Sequence, residues 1–192
     1  EPAPGDVVVG RYRIDAVLAA GDLGVTYRAR DRVTSSTVAL KRYRVARLAD
    51  DPAAMVEALR DEIRARRLVH RNVVRLREAG EDAGTPFVTM DYVEGVALDG
   101  LLRASGPLAD DAVVAIARQL CRALAAAQAS GAVHGSLAPH HILLGYDGVL
   151  RVSDFTVARL ERRMRMRGGR TGTGDDAPAR ASEIPQLAGA TV

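Results

Sequence analysis

The sequence has one cysteine, one lysine and no long apolar run, and each scarcity excludes a class of protein. Cys121 alone cannot form an internal disulfide in this chain of 192 residues, which fits a reducing compartment. No apolar run approaches the ~20 residues that a membrane-spanning helix needs. Glu1 and Pro2 open a start that lacks the basic segment and apolar core of a signal peptide. We therefore predict a cytoplasmic protein without a membrane segment, and because Glu1 is not Met, we expect a fragment or a processed chain.

The basic residues are almost all arginine, and Lys41 is the only lysine. Such a bias makes the one remaining lysine a candidate for a specific role, with chance as the alternative. The net charge of +3 is too small to indicate nucleic acid, so no DNA partner is expected. A hydrophobic fraction of 47% fits a globular chain with a substantial core, in one domain or one bilobal unit. Cys121 lies in an apolar helical stretch, which predicts a buried small side chain rather than a reactive thiol.

The first half of the chain has the pattern of a sheet with one helix. Residues 1–10 are rich in proline and glycine and predict a flexible lead-in. Alternation of polar and apolar residues predicts strands over 11–18, 25–30, 37–43, 73–78 and 86–90, and a small-residue turn with Gly21 and Gly24 joins the first two. Asp51-Pro52 is typical of a helix start, and that helix is expected to run to about Leu68.

The second half predicts one long helix, a loop with two short strands, and a tail. Apolar residues at helical spacing predict a helix over 108–130, with Asp110 and Asp111 in its first turn and Gly131 at its end. Residues 134–156 predict a loop, an apolar strand, a turn and a second strand that ends at Asp154. Residues 161–192 are basic and then low in complexity, and we expect them to be poorly ordered.

Together these motifs resemble the protein kinase family, and most closely its bacterial eukaryotic-like Ser/Thr kinases. A glycine turn precedes Val38-Ala39-Leu40-Lys41, and His134 and Asp154-Phe155 stand where the family has His-Arg-Asp and Asp-Phe-Gly. The resemblance implies an α+β, bilobal fold that is truncated after the Asp-Phe-Gly position. Its N-lobe, residues 11–91, would have a five-stranded sheet and one helix, and residues 92–160 would form a partial, mainly helical C-lobe. Residues 161–192 would be a relic of the activation segment.

The resemblance also implies a nucleotide site between the lobes, with ATP and Mg²⁺ as the expected cofactors. Lys41 would pair with phosphates, Asp61 or Glu62 would pair with Lys41, and Asp91 and Val93 would offer hinge backbone groups. Asp154 would hold a cation, with His141 as a weak second ligand. The remaining expected nucleotide-binding positions are those of the glycine turn and of the walls around the base: Leu18, Gly21, Gly24, Thr26, Ala39, Met90 and Leu143.

The catalytic loop departs from the family at three positions. Ser136 stands at the position of the catalytic Asp and cannot act as a base at neutral pH. Ala138 replaces the loop lysine, and His141 replaces the Asn that offers oxygen to a second Mg²⁺. These losses favour a pseudokinase that binds ATP weakly or not at all and acts as a regulatory or interaction module with a protein partner. A slow Ser/Thr protein kinase and a truncated, non-functional fragment are the alternatives.

A zinc site made by His134, His140 and His141 is disfavoured, because adjacent histidines on a loop do not easily point at one ion. The arginines of 159–170 could contact an acidic partner, but a solvated, mobile segment is the simpler interpretation.

Overall fold

A computed structural model describes residues 1–44, 53, 55–57, 59, 60, 63 and 68–155. The predicted helix start at Asp51-Pro52, the carboxylates Asp61 and Glu62, and the predicted tail over 161–192 lie outside the described residues. Of the helix expected between Pro52 and Leu68, the seven described residues from 53 to 63 are helical.

An antiparallel sheet of six strands forms the N-terminal part of the molecule. Its strands run in the order β1-β2-β3-β4-β6-β5. Their bounds are β1 Val7–Val8, β2 Tyr12–Gly21, β3 Gly24–Asp31, β4 Thr37–Tyr43, β5 Leu76–Asp82 and β6 Thr85–Asp91. Side chains alternate across the sheet, since successive residues of a strand point to opposite faces. Val38 and Leu40 therefore face one buried cluster, whereas Ala39 and Tyr43 face another that includes Met55 from the helical residues.

The second part contains two helices and a three-stranded sheet of order β7-β8-β9. Its elements are β7 Gly95–Ala97, α1 Leu98–Ser105, α2 Asp110–Ala129, a short 3₁₀ turn Pro139–His141, β8 Ile142–Gly145 and β9 Leu150–Val152. Asp110 and Asp111 lie in the first turn of α2, where the helix dipole favours negative charge. Gly131 follows the helix with φ of 71°, a conformation that favours glycine. The α+β, bilobal architecture that the sequence predicts is confirmed.

Asn72 fastens the N-terminal part to the C-terminal part. Its buried side-chain amide donates to the Leu150 carbonyl (2.7 Å) and to Gln119 Oε1 (3.0 Å). The next residue, Val73, forms a parallel bridge with Val152. The hydrogen-bonded contact between the two parts therefore holds β9, and with it the segment that follows β9, at a fixed position beside the sheet.

Several predictions from the sequence were wrong in detail. The lead-in over 1–10 contains β1, because Val8 is buried beside Tyr12 and this apolar contact outweighs the flanking proline and glycine residues. The sheet therefore has six strands rather than five. The predicted strand over 73–78 begins instead at Leu76, since Val73 pairs with β9. Helix α1 was not predicted.

The buried position predicted for Cys121 is also wrong, because its side chain is exposed. In α2 only Ala123 and Ala127 are fully buried, so most of the apolar stripe of this helix is incompletely covered by the described residues. No helix among the described residues is both long and apolar enough to cross a membrane.

Candidate functional site

The only lysine and the carboxylate that follows β9 meet between the two parts of the molecule. Lys41 Nζ lies 3.5 Å from Asp154 Oδ2, and each side chain is 13% exposed. Lys41 reaches this position because it lies on the same face of β4 as Ala39 and opposite Thr26 of β3. Asp154 reaches it because the Asn72 contact positions β9. The pair places one cation and one anion in a largely dry crevice, where charges interact more strongly than in water.

Asp154 has an unusual backbone and an incompletely bonded carboxylate. Its φ is 62°, in the left-handed region, which aspartate tolerates better than most residues. Its Oδ1 atom is buried and has no hydrogen-bond partner among the residues that the structure describes. A buried carboxylate oxygen without a partner is costly, so this atom is poised to accept a cation or a donor from a ligand.

His141 approaches the same carboxylate from the second part of the molecule. Its Nε2 lies 3.4 Å from Asp154 Oδ2, and its Nδ1 lies 2.9 Å from the Ser136 carbonyl oxygen. A carbonyl only accepts, so Nδ1 carries the proton and donates to Ser136. In the neutral ring, Nε2 then has no proton, and its lone pair faces the Asp154 carboxylate.

His134 is held differently, with both ring nitrogens engaged by backbone. The Ser136 N–H donates to Nδ1 (3.3 Å), so Nε2 carries the proton and donates to the Ser153 carbonyl (2.9 Å). The ring centroid lies 4.9 Å from that of Phe155 and 5.1 Å from that of His141. His134 therefore acts as a packed structural link to the segment that carries Asp154.

Burial changes the protonation of both rings. It lowers the pKa of His141 to about 4, an effect that the Asp154 carboxylate partly opposes. It also lowers the pKa of His134, against the hydrogen bond to Ser153. Both histidines are therefore neutral in the folded protein at pH 7.

We expect the protein to lose stability on mild acidification because of these two rings. In the unfolded chain each histidine takes up a proton near pH 6.5, whereas the folded state resists protonation until a lower pH. For His141 the stability is thus present above pH 6.5 and is lost as the pH falls toward about 4, by up to about 1.4 kcal/mol per pH unit. His134 contributes in the same direction, because burial lowers its pKa too. Denaturant unfolding in metal-free buffer from pH 7.5 to 4.5 measures this slope.

His141→Gln should flatten the slope, because it removes one of the two groups. Equal slopes in the natural chain and in His141→Gln would contradict the assignment.

The turn between β2 and β3 lies two residues before Thr26, the cross-strand partner of Lys41. Gly24 is required by the sheet itself, since its φ is 156° and a Cβ built on it would lie 2.0 Å from the Arg42 carbonyl oxygen. Gly21 has no such constraint, because a Cβ there would meet nothing within 4 Å. Arg44 fixes the turn: its N–H donates to the Leu23 carbonyl (3.0 Å) and its guanidinium to the Gly21 carbonyl (2.7 Å).

An apolar wall continues from the crevice toward the connection between the two parts. Ala39 and Met90 are buried in one cluster, and Val93 and Leu143 pack against it. The Val93 N–H makes no hydrogen bond to the described residues, so this backbone donor is open beside an apolar surface. Such a surface next to an open amide is typical of a site for a flat heterocycle.

The predicted site residues differ in where the structure places them. Lys41, Asp154 and His141 come into contact, and Ala39, Met90, Val93 and Leu143 form one wall. Thr26 faces the crevice opposite Lys41, and Asp91 ends β6 at the same wall. Leu18 lies at the open end of β2 and is 44% exposed. Asp61 and Glu62 lie outside the described residues.

The sequence did not identify two contacts that the structure shows at this site. Arg44 secures the glycine turn, and the Ser136 backbone orients both His134 and His141 although its side chain lacks a carboxylate. In both contacts at least one partner is a backbone group, for which a sequence carries no residue-specific signal. A cavity of about 370 Å³ also lies beside the connection, between Arg28, Tyr92 and Tyr146, and includes none of the predicted nucleotide positions.

Comparison with known proteins gives one consistent result. The family model described as "Protein kinase domain" matches residues 12–174. Serine/threonine-protein kinase PknE of Mycobacterium tuberculosis is 38% identical over 149 residues, which cover 78% of this chain and 26% of PknE. Serine/threonine-protein kinase PrkC of Bacillus subtilis is 32% identical over 154 residues, which cover 80% of this chain and 24% of PrkC. The chain thus spans about a quarter of the length of these relatives.

Solved structures of protein kinase domains share the fold and confirm the kinase-like fold class. The crystal structure of the M. tuberculosis PknI kinase domain superimposes with a TM-score of 0.70 at 25% identity, over 82% of this chain and 62% of that domain. A double mutant of the same domain gives a TM-score of 0.71 at 27% identity, with 82% and 63% covered.

Proposed function

Because this chain belongs to the protein kinase domain family, we propose that it is a pseudokinase, a domain that binds ATP weakly, transfers no phosphoryl group and acts as a regulatory or interaction module. The observation that carries the proposal is a contrast between two sets of residues in one crevice. Lys41 and Asp154 stand in contact, whereas the neighbouring loop offers Ser136, Ala138 and His141. Lys41 and Asp154 can bind a nucleotide and its cation, whereas the loop lacks the groups that transfer a phosphoryl group.

The residues present fit a nucleotide. Lys41 would pair with phosphates, the Val93 N–H would donate to the edge of the base, and the wall of Ala39, Met90 and Leu143 would contact its face. The exposed position of Leu18 leaves one side of the base poorly covered, which supports weak binding. Arg44 holds the glycine turn through the carbonyl groups of Gly21 and Leu23, so this contact does not use the turn's N–H groups.

The fit to Mg²⁺ is only partial. Asp154 has a buried carboxylate oxygen without a partner, and oxygen is what Mg²⁺ takes, so one cation accompanying a nucleotide is compatible with this residue. His141 offers nitrogen where the family has an amide oxygen, so a second Mg²⁺ does not fit. Phosphoryl transfer, the chemistry that such a pair of ions assists, therefore lacks one of its ions as well as its base.

A slow Ser/Thr protein kinase is the second candidate. The contact between Lys41 and Asp154 favours this candidate, because it is compatible with positioned phosphates. The similarity to serine/threonine-protein kinases also favours it. Positioning of ATP and the substrate hydroxyl would then have to account for the whole rate of phosphoryl transfer.

Thermal unfolding with and without Mg-ATP tests the proposal. Binding to the folded state should stabilise the chain by ~2.7 kcal/mol when the nucleotide is at about 100 times its Kd. Lys41→Met should abolish this shift, because it removes the ammonium that faces Asp154 in the crevice. The matched control is Arg42→Met, which removes the neighbouring cation on the opposite face of β4, where it pairs with Asp82. Arg42→Met should lower the basal unfolding temperature but keep the nucleotide shift.

Two outcomes would contradict the proposal. One is a natural chain that gains no stability at millimolar Mg-ATP. The other is a Lys41→Met protein that is stabilised as much as the natural one, since the nucleotide would then bind elsewhere.

A further inference from the structure

A serine hydroxyl at the end of the turn between β3 and β4 is bonded to a guanidinium. Arg77 Nη1 lies 2.8 Å from Ser36 Oγ, to which it donates. The Thr34 hydroxyl lies 2.8 Å from Ser36 Oγ and gives its one proton to Asp31 Oδ2, also at 2.8 Å. Ser36 therefore donates its own proton to Thr34, and its lone pairs face a side chain that is always charged.

The same guanidinium is the partner of Asp91, the last residue of β6. Arg77 Nε donates to Asp91 Oδ1 (2.7 Å), and the two side chains are 34% and 43% exposed. One arginine thus joins the Ser36 hydroxyl to the residue at which the connection to the second part of the molecule begins. An exposed ion pair of this kind is weakly held, so a stronger anion beside Arg77 can take the guanidinium from Asp91.

Other serine side chains in the described part of the chain have different surroundings. Backbone carbonyl groups accept the hydrogen bonds of Ser105, Ser130 and Ser153. Ser35, next to Ser36, is exposed, and no guanidinium bonds it within the described ranges. A carbonyl group repels a phosphate, whereas a guanidinium can bond two phosphate oxygens at once. Ser36 is therefore the serine whose surroundings suit a phosphate.

The charges near Ser36 also favour an added anion. The closest carboxylate in sequence, Asp31, is paired with Arg11 through two hydrogen bonds. Arg30 and Arg32, on either side of Asp31, are exposed and make no ion pair with other described residues. Negative charge on Ser36 would thus be added to a part of the surface in which arginine is in excess.

The turn that carries Ser36 is accessible to an enzyme. Residues 32–35 are all exposed, and Val33 at its tip is 75% exposed. Ser36 itself is half-buried, and its carbonyl accepts from the Asp31 N–H (2.9 Å). A modifying enzyme must therefore lift the end of the turn, and such local opening costs little where few apolar contacts are buried.

We propose that Ser36 is a phosphorylation site for a Ser/Thr protein kinase acting in trans, and that Arg77 binds the resulting phosphate. In the transfer, Ser36 Oγ bonds to the γ-phosphorus of ATP, and the bond from that phosphorus to the β,γ-bridging oxygen breaks. ADP leaves, and the hydroxyl proton passes to the base of the modifying kinase. Arg77 then exchanges the Asp91 carboxylate for the phosphate, because the phosphate carries more charge and offers two oxygens to one guanidinium.

The exchange acts on the connection between the two parts of the molecule. Asp91 loses its ion pair at the end of β6, two residues before the Val93 N–H that we expect to meet the base of a nucleotide. Phosphate on Ser36 should therefore weaken Mg-ATP binding several-fold. This consequence rests on the proposed function, whereas the modification of Ser36 and its contact with Arg77 do not.

Phosphate incorporation into the full 192-residue chain is the first test. The chain is incubated with Mg-ATP and a catalytic amount of an active bacterial Ser/Thr protein kinase domain, and mass spectrometry of its peptides locates the phosphate. We expect phosphate on Ser36, its loss from the turn in Ser36→Ala, and its retention in Ser35→Asn. Asparagine is the matched control because it tolerates the φ of 55° at position 35. Labelling of Ser36 without the added kinase would contradict the proposed function but not this inference.

Phosphorus NMR tests the contact with Arg77. Two chains are made by genetic encoding of phosphoserine, one with phosphate on Ser36 and one with phosphate on Ser35. The adjacent guanidinium should lower the second pKa of the phosphate on Ser36 from about 6 toward about 5, whereas the phosphate on Ser35 should stay near 6. Arg77→Gln should remove the difference. The matched control Arg75→Gln, which changes an exposed arginine two residues earlier, should preserve it.

Three results would overturn the inference. One is an added kinase that places no phosphate on Ser36. Another is equal labelling of the turn in Ser36→Ala and the natural chain, since Thr34 or Ser35 would then be the acceptor. The third is a phosphate on Ser36 whose pKa does not differ from that on Ser35. If Arg77→Gln is unfolded by circular dichroism, the comparison of the two phosphorylated natural chains decides the question.

Discussion

Restoring the three replaced loop positions together, with Ser136→Asp, Ala138→Lys and His141→Asn, should raise ATP turnover by at least about 100-fold over the natural chain. A positioned general base alone contributes roughly 10²–10⁴-fold. The triple variant also returns a cation for the transferred group and an oxygen ligand for Mg²⁺. Steady-state release of phosphate from ATP measures the rate, with water as acceptor and Mg²⁺ as the only divalent ion.

The structure indicates that the loop can accept these changes. The Ser136 side chain is exposed, and the frame of the loop is made by backbone hydrogen bonds to His134 and His141. The hydrogen bond from His141 Nδ1 to the Ser136 carbonyl is lost in the triple variant, but the new Asn side chain has an amide that can donate to the same carbonyl.

Two comparisons make the turnover experiment decisive. The triple variant with an added Asp154→Asn substitution should return to the background rate, because it lacks the cation-binding carboxylate. A natural chain that hydrolyses ATP as fast as the triple variant would overturn the pseudokinase proposal and favour the slow kinase.

Arg11→Met should reduce the free energy of unfolding by about 3 kcal/mol, because it leaves a buried carboxylate without its cation. Asp31 is only 2% exposed, and Arg11 donates two hydrogen bonds to it, from Nε (2.9 Å) and from Nη2 (2.8 Å). Asp31 keeps the hydrogen bonds from the Val33 N–H and the Thr34 hydroxyl, which places the loss at the lower end of the range for broken buried pairs. Urea unfolding at pH 7 measures it.

The control is Arg13→Met, two residues further along the chain in β2. Arg13 is 57% exposed and lies 3.5 Å from Asp15, so its removal should cost less than about 1 kcal/mol. Equal losses in the two variants would show that the Arg11–Asp31 pair contributes no more to the free energy of unfolding than an exposed pair.

Acid titration gives the same pair a second signature. The Arg11 guanidinium holds the pKa of Asp31 well below its usual range. The pair's contribution is therefore present above about pH 4, where the unfolded chain ionises this group, and is lost as the pH falls further. The loss below pH 4 should be smaller in Arg11→Met than in the natural chain.

The sequence predicted the strands that alternate regularly and the helix with the most complete apolar stripe. The strand over 37–43 and the helix over 108–130 were located to within two residues, because their periodicity is strong over a long stretch. The short elements β1 and α1 were not predicted. β1 is two residues long, and α1 has no buried residue. Elements of that kind depend on contacts with distant residues, which a local pattern does not contain.

The same limit applies to the site. The residue types at Lys41, Ser136, Ala138, His141 and Asp154 could be assigned from motif and order alone, and the fold class followed from them. The sequence did not indicate that His141 would face Asp154 with a lone pair, because this depends on the 3₁₀ turn at Pro139–His141 and on a carbonyl five residues earlier.

The sequence by itself determined the α+β fold, the family and the chemical groups available at the crevice, because these depend on residue identity, periodicity and order. The tertiary structure alone decided which groups meet. Asn72 and the Val73–Val152 bridge position β9, and only then do Lys41 and His141, more than ninety residues apart, reach the same carboxylate. Contacts between distant segments arise from the packing of whole elements, so no stretch of sequence encodes them locally.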